Sequence, residues 1–339
     1  MNGSRRLLTV LCSAVTLAVS PCSTTLVPHL DLPRLTDASD LIVVGRVTTV
    51  QRDGETVVYL QGQALAASSW SAEVEVERTL KGKIAGSEVR FNFPVPRAPV
   101  GYRGADVGQF GVFFLRQAEN AYQILDPYHP FLVAAPAAPH TEGTPLDQVT
   151  AEVAHVFDWP GATGQSRREA VEVLRTLDTP PATAALKTAA RDPDPGPRVL
   201  AVAALLERGD MAWLDPAASI LLSHEQGVDP YLVWRLATAI EASVKDPRAI
   251  PTLVRLLHAP EVPVRRAAAA ALRNTRDPAA IGPLTEALDD SDREVRYQGV
   301  IGLAEITGAD SEWSPAYGTF ANNEGRYLTY WRDWTKSRK

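Results

Sequence analysis

One phrase of this chain is spelled twice. Asp246-Pro247-Arg248-Ala249-Ile250 returns 31 residues on as Asp277-Pro278-Ala279-Ala280-Ile281. The same offset carries Leu253 to Leu284, Leu257 to Leu288, Val264-Arg265 to Val295-Arg296 and Leu272 to Leu303. A self-similar period of this size marks stacked supersecondary units, each too small to bury its own apolar face and covered by its neighbours. Asp-Pro is a helix start with a physical basis: Asp accepts from orphaned N–H groups, and Pro in the first turn gives up a donor the helix does not use. Asp215-Pro216 and Asp229-Pro230 repeat the device. A more divergent copy sets Arg198, Ala201, Ala204 and Leu205 where Arg265, Ala268, Ala271 and Leu272 stand.

The repeating part covers about residues 166–308, read as a helix from Ser166 to Leu177 followed by about four helical hairpins. Ala267, Ala268 and Ala271 let neighbouring helices approach closely. Residues 309–339 end in Tyr327, Tyr330, Trp331 and Trp334, spaced i, i+3, i+4, i+7. That aromatic helix face suits a lid over the last hairpin. The pattern resembles HEAT repeats, in particular the short variety of bilin lyases. The resemblance implies an α-solenoid in which Arg198, Arg265 and Arg296 form a structural ladder to Asp or carbonyl groups of the inter-helix turns, with Asp292 as one such partner.

Residues from about 40 to 135 alternate instead at period two, the mark of half-buried strands. The runs are Leu41–Val50, Thr56–Leu60, Ala72–Glu77, Val89–Phe93, Phe110–Leu115, Tyr122–Leu125 and Phe131–Val133. Lys81-Gly82-Lys83 and Arg103-Gly104-Ala105-Asp106 supply turn chemistry. About seven short strands without intervening helices predict a small antiparallel barrel or sandwich. Ser39 to Val47, Val74 to Gly82 and Gly108 to Leu115 resemble a netrin-like module, which implies an OB-type β-barrel over residues 23–135. Between the two patterns, 136–165 reads as a linker with one amphipathic helix. Leu146, Val149, Val153, Val156 and Phe157 form its apolar face, and Trp159-Pro160-Gly161 ends it.

The first 22 residues read as an export signal. Arg5 and Arg6 precede an apolar run from Leu7 to Val19 that is too short to span a bilayer. Its removal takes Arg5 and Arg6 away and moves the formal charge from −6 to −8. That balance argues against a non-specific nucleic-acid binder, which needs a basic face. Cys12 and Cys22 lie in or beside the leader, so the mature protein has no pair for an internal disulfide. Val19-Ser20-Pro21-Cys22 matches a lipoprotein box at its first two positions, whereas Pro21 favours ordinary cleavage. The expected destination is the periplasm or the exterior, with membrane attachment only if Cys22 is lipidated.

No two histidines stand at i, i+3 or i, i+4, and neither a nucleophile elbow nor a phosphate loop occurs. The expectation is therefore a non-catalytic, exported protein-binding scaffold without metal or cofactor, and with a protein partner. Trp234, Arg266, Arg273 and Tyr297 fall off the core stripe of the second helices, which line a solenoid's concave side. Together they are the candidate partner-binding patch. Two alternatives carry different chemistry. The repeat type is shared with bilin lyases, which are enzymes. Cys22-Ser23-Thr24 with Val27-Pro28-His29 and Asp40-Leu41 resembles the start of the tissue inhibitors of metalloproteinases, where a mature N-terminal Cys meets the protease zinc.

Overall fold

The computed structural model describes residues 30–98, 100–118, 121–136, 141–223 and 225–337. The segment read as an export leader, with Cys22 and the expectations attached to both, lies outside these residues. After a short helix, α1 (Leu32–Ala38), come six strands: β1 (Leu41–Leu60), β2 (Gln63–Lys81), β3 (Glu88–Pro96), β4 (Phe110–Ala118), β5 (Ala121–Ile124) and β6 (Leu132–Val133). They form a sheet in the order β1-β2-β3-β5-β4-β6, in which β1 also pairs with β4 and only β3–β5 is parallel. The runs expected at 41–50 and 56–60 are one strand. Register shifts near Val47 and between Arg52 and Gly54 bend it without ending it, as bulges do. Gly45 has a steric reason: a Cβ there would stand 2.2 Å from the Glu75 carbonyl oxygen.

β1 opens with four consecutive buried residues, Leu41-Ile42-Val43-Val44. Side chains alternate between faces along a strand, so both faces are covered here. Leu41 and Val43 join Val74, Phe91, Phe113 and Leu115 in one apolar cluster. Ile42 and Val44 join Val112 and Phe114 in another, against Leu35 and the buried Val149, Val153 and Val156. Those valines belong to α2 (Pro145–Ala154) and the 3-10 turn that continues it. The Arg78 guanidinium on β2 grips the buried Glu152 carboxylate of α2 with two bonds of 2.8 Å.

Next come α3 (Gly164–Leu174), α4 (Pro180–Ala189), α5 (Pro195–Glu207), α6 (Leu214–Ser223), α7 (Pro230–Ser243), α8 (Ile250–Leu257), α9 (Val262–Thr275), α10 (Ile281–Ala287) and α11 (Arg293–Thr307). α4/α5, α6/α7, α8/α9 and α10/α11 are hairpins, and the second helices α5, α7, α9 and α11 each pack on the next. Caps fix the starts. Asp229 accepts the Leu232 N–H at 2.9 Å to begin α7, and Asp246 and Asp277 cap the 3-10 turns that lead into α8 and α10. Asp215 departs from the expectation. It sits inside the first turn of α6, where the preceding turn is capped by Asp210, and it accepts the Thr252 hydroxyl instead. The chain closes with α12 (Tyr317–Asn322) and α13 (Glu324–Lys336), whose Tyr327 and Trp331 are buried on the last hairpin. Trp313 stacks on Tyr330 at 3.6 Å and accepts the Trp331 indole N–H on its carbonyl. One apolar cluster runs unbroken from Ile42 to Trp331.

Candidate functional site

The layer of second helices is braced by arginines at one repeat position. Arg198, Arg265 and Arg296 each donate Nη1 to the carbonyl six residues upstream, on Asp192, Ala259 and Asp290. Each then reaches forward to an acid of the following unit: Glu225, Asp290 and Glu324 respectively. The planar fork suits this double duty, which an ammonium would not fulfil. The partner of Arg265 is Asp290 rather than Asp292. Asp292 is occupied as the N-cap of α11, accepting the Glu294 and Val295 N–H groups, and it takes Arg266 at 2.7 and 2.8 Å. The Arg266 guanidinium, with those N–H groups, holds the Asp292 carboxyl down at about 2, against a burial that pushes it up.

The four residues singled out from the sequence sit on consecutive second helices but have different surroundings. Arg266 is paired as described. Arg273 is held on α11 by Glu305 at 3.0 Å and Gln298 at 3.2 Å. Tyr297 lies half-buried between Tyr317 and Phe320 and donates its hydroxyl to the Pro315 carbonyl. Trp234 is 52% exposed, and its ring lies 6.0 Å from that of Tyr231, itself 55% exposed. Core positions of α7 are taken by Leu232, Leu236, Ala239 and Ile240. Tyr231, three residues before Trp234 and off that stripe, was readable as its partner and was missed.

Tyr231 also borders a cleft of about 550 Å³ between the last strand loop and the start of the helical array. One wall is α3, whose Arg168, Glu172 and Val173 share a face, with Leu200 of α5 beside them. The other is the loop Tyr128–Val133 with Arg103. Asp126 organises that loop. Its carboxylate accepts the Tyr128 N–H at 2.9 Å and meets His129 Nδ1 at 2.9 Å. Burial raises the Asp126 carboxyl, and these bonds outweigh it and hold it below its usual range. Tyr128 stands edge-on to Tyr102 at 4.7 Å, and the Arg103 N–H is tied to the Pro127 carbonyl. No sequence motif pointed to this loop, because its two walls are brought together only by the packing of α3 against β6.

The charges of the cleft are unequally committed. Glu172 is engaged by Arg175, and Glu169 accepts from Gln165 at 2.9 Å. Arg103 is exposed and makes no ion pair among the described residues. Arg168 has, among the described residues, only Asp194 as an ion-pair partner, at 3.9 Å. The groove thus presents Arg103 beside the exposed Tyr231 and Trp234 rings.

Residues 215–304 match the HEAT repeats family, and the helical array is HEAT-like. No curated protein matches the chain. Among solved structures, two engineered proteins of the Northeast Structural Genomics Consortium are similar. One is 18% identical, with a TM-score of 0.34 over 48% of this chain and 81% of that one. The other is 22% identical, with a TM-score of 0.24 over 51% and 47% of the respective chains.

Proposed function

We propose that this protein is a non-catalytic scaffold, exported by its N-terminal leader, that holds an extended segment of a partner protein in the cleft between its strands and its HEAT-like array. The observation that carries this reading is the exposed Tyr231–Trp234 pair at the rim of a groove holding Arg103, which makes no ion pair among the described residues. Aromatic rings and arginine are the usual anchors of protein interfaces. The strand region is read as an OB-type, netrin-like barrel. That reading is supported by the cyclic pairing β1-β2-β3-β5-β4-β1 with its single parallel pair. Export is supported by the Arg5-Arg6 and Leu7–Val19 pattern.

A photo-crosslinking side chain at position 231, introduced in the native host, tests this function. The expected result is a discrete adduct that is lost on Trp234→Ala or Arg103→Glu, variants whose thermal midpoint stays at that of the parent. Each substitution should weaken binding of the captured partner at least about tenfold, as loss of an interface anchor does. The same probe at Glu286, on the outer helix α10, should give no such adduct. Equal adducts from both positions would defeat the reading.

A further inference from the structure

β1 and β2 outrun the rest of their sheet. β4 covers β1 only as far as Arg46, and β3 covers β2 only from Ala67 onward. Arg97 still reaches the Ala66 carbonyl and the Glu55 carboxylate, and beyond it Thr56–Leu60 and Gln63–Leu65 have only each other as ladder partners among the described residues, in one uninterrupted register from Glu55↔Ser68 to Leu60↔Gln63. Gln61 and Gly62, with φ of 51° and 79°, make the two-residue turn that such a twisted ribbon requires. An isolated two-stranded ribbon is marginal in water, and a third strand is the usual remedy.

From Thr56 to the turn the outer edge of this arm is undefended, and Glu55 is its one charged residue. Natural sheets protect an open edge with charge, proline or a bulge. From Thr56 to Ala72 there is no charged residue and no proline, and the last bulge ends at Gly54. Val57 is 53% and Tyr59 75% exposed. The residues flanking a two-residue turn bond each other, so Leu60, Val58 and Thr56 turn their peptide groups towards β2. Tyr59, Val57 and Glu55 turn theirs outward.

We infer that this edge pairs with the same edge of a second copy of the chain, antiparallel about a two-fold axis at Val57. An edge meeting itself across a two-fold is antiparallel by construction and self-complementary. Val57 then faces Val57 of the second copy, and Tyr59 faces Glu55 in both directions, so every outward N–H and C=O finds a partner. Charge permits it. The two Glu55 side chains fall at opposite ends of the paired stretch, about 14 Å apart and beyond the screening length. Each is already neutralised by Arg52 and Arg97 of its own chain. One short strand per copy buries less than the roughly 1,200 Å² of a standard interface, so the dimer is weak and concentration-dependent.

Sedimentation equilibrium of the full chain between about 1 and 200 µM tests the inference, since a small interface places dissociation in the micromolar range. The expected result is a monomer–dimer equilibrium that Val57→Lys shifts at least tenfold towards monomer, with the thermal midpoint unchanged. Oxidative cross-linking keeps the test independent of that variant's folding. With Cys12 and Cys22 replaced by Ser, Val57→Cys should form a disulfide-linked dimer, because facing Cα atoms in a bonded pair lie about 5.5 Å apart. Tyr59→Cys, about 14 Å from its counterpart, should not. A chain that stays monomeric across the range, or cross-links equally at both positions, would overturn the pairing.

Discussion

The guanidinium groups of Arg198, Arg265 and Arg296 show how much a single side chain can settle. Their equivalence was legible in the sequence, because the 31-residue offset superposes Arg265 on Arg296. The choice of acid was not. Asp290 and Asp292 both precede α11, and only the cap geometry decides that Asp292 serves Glu294 and Val295 while Asp290 meets Arg265. The same residue yields a pH prediction. The Asp292 carboxyl sits at about 2 when folded, below an unfolded value of roughly 3.9. Its contribution is therefore fully present above pH 4 and is lost as pH falls through the folded value. Asp292→Asn should lower the thermal midpoint at pH 7 and flatten its decline between about pH 4 and 2 relative to the parent. Parallel declines in both proteins would detach the acid limb from this carboxylate.

At the scale of elements, the helix caps read well wherever Asp-Pro really opens a helical turn, as at Asp229, Asp246 and Asp277. Asp215 failed because Asp210, five residues earlier, had already started the turn that runs into α6. A dipeptide carries the capping chemistry but not the knowledge of which acid comes first. Asp194-Pro195 carries the same dipeptide and caps α5 through the Gly196 N–H, although the sequence reading did not single it out. The aromatic face of α13 has the clearest consequence. Trp331 is wholly buried, while Trp334 is only partly so. Trp331→Ala should cost about 3–5 kcal/mol, as truncation of a core tryptophan does, and Trp334→Ala distinctly less. Chemical unfolding of the two variants beside the parent measures this. Equal losses would mean that α13 does not sit on α11 as described.

For the whole molecule, the meeting of a period-two pattern with a helical one suggested two bodies and a joint. The structure gives them a common core, because one face of the strands lies under α1, α2 and α3. The sequence did hold the sign of it. Leu41–Val44 and Val112–Leu115 are apolar at every position, whereas a half-buried strand needs apolar residues only at alternate ones. Residues 30–136 by themselves would bare Ile42, Val44, Val112 and Phe114 and leave Arg78 without Glu152. Such a fragment is expected to lack a cooperative thermal transition and to bind a hydrophobic dye. A sharp transition at the midpoint of the intact chain would show that the strands stand alone.

The forward reach of each arginine has a consequence for how such an array changes length. Arg265 supplies the fork for the unit ahead of it, and Asp290 receives one from the unit behind. A tandem copy of 260–290 would therefore bring its own giver and its own receiver, and both would find matching counterparts at the new seams. Adding or removing 260–290 as a block leaves neither charge stranded, whereas a cut between Arg265 and Asp290 parts the pair. The ladder thus acts as a ratchet on genetic change, passing whole teeth and stopping fractions of them.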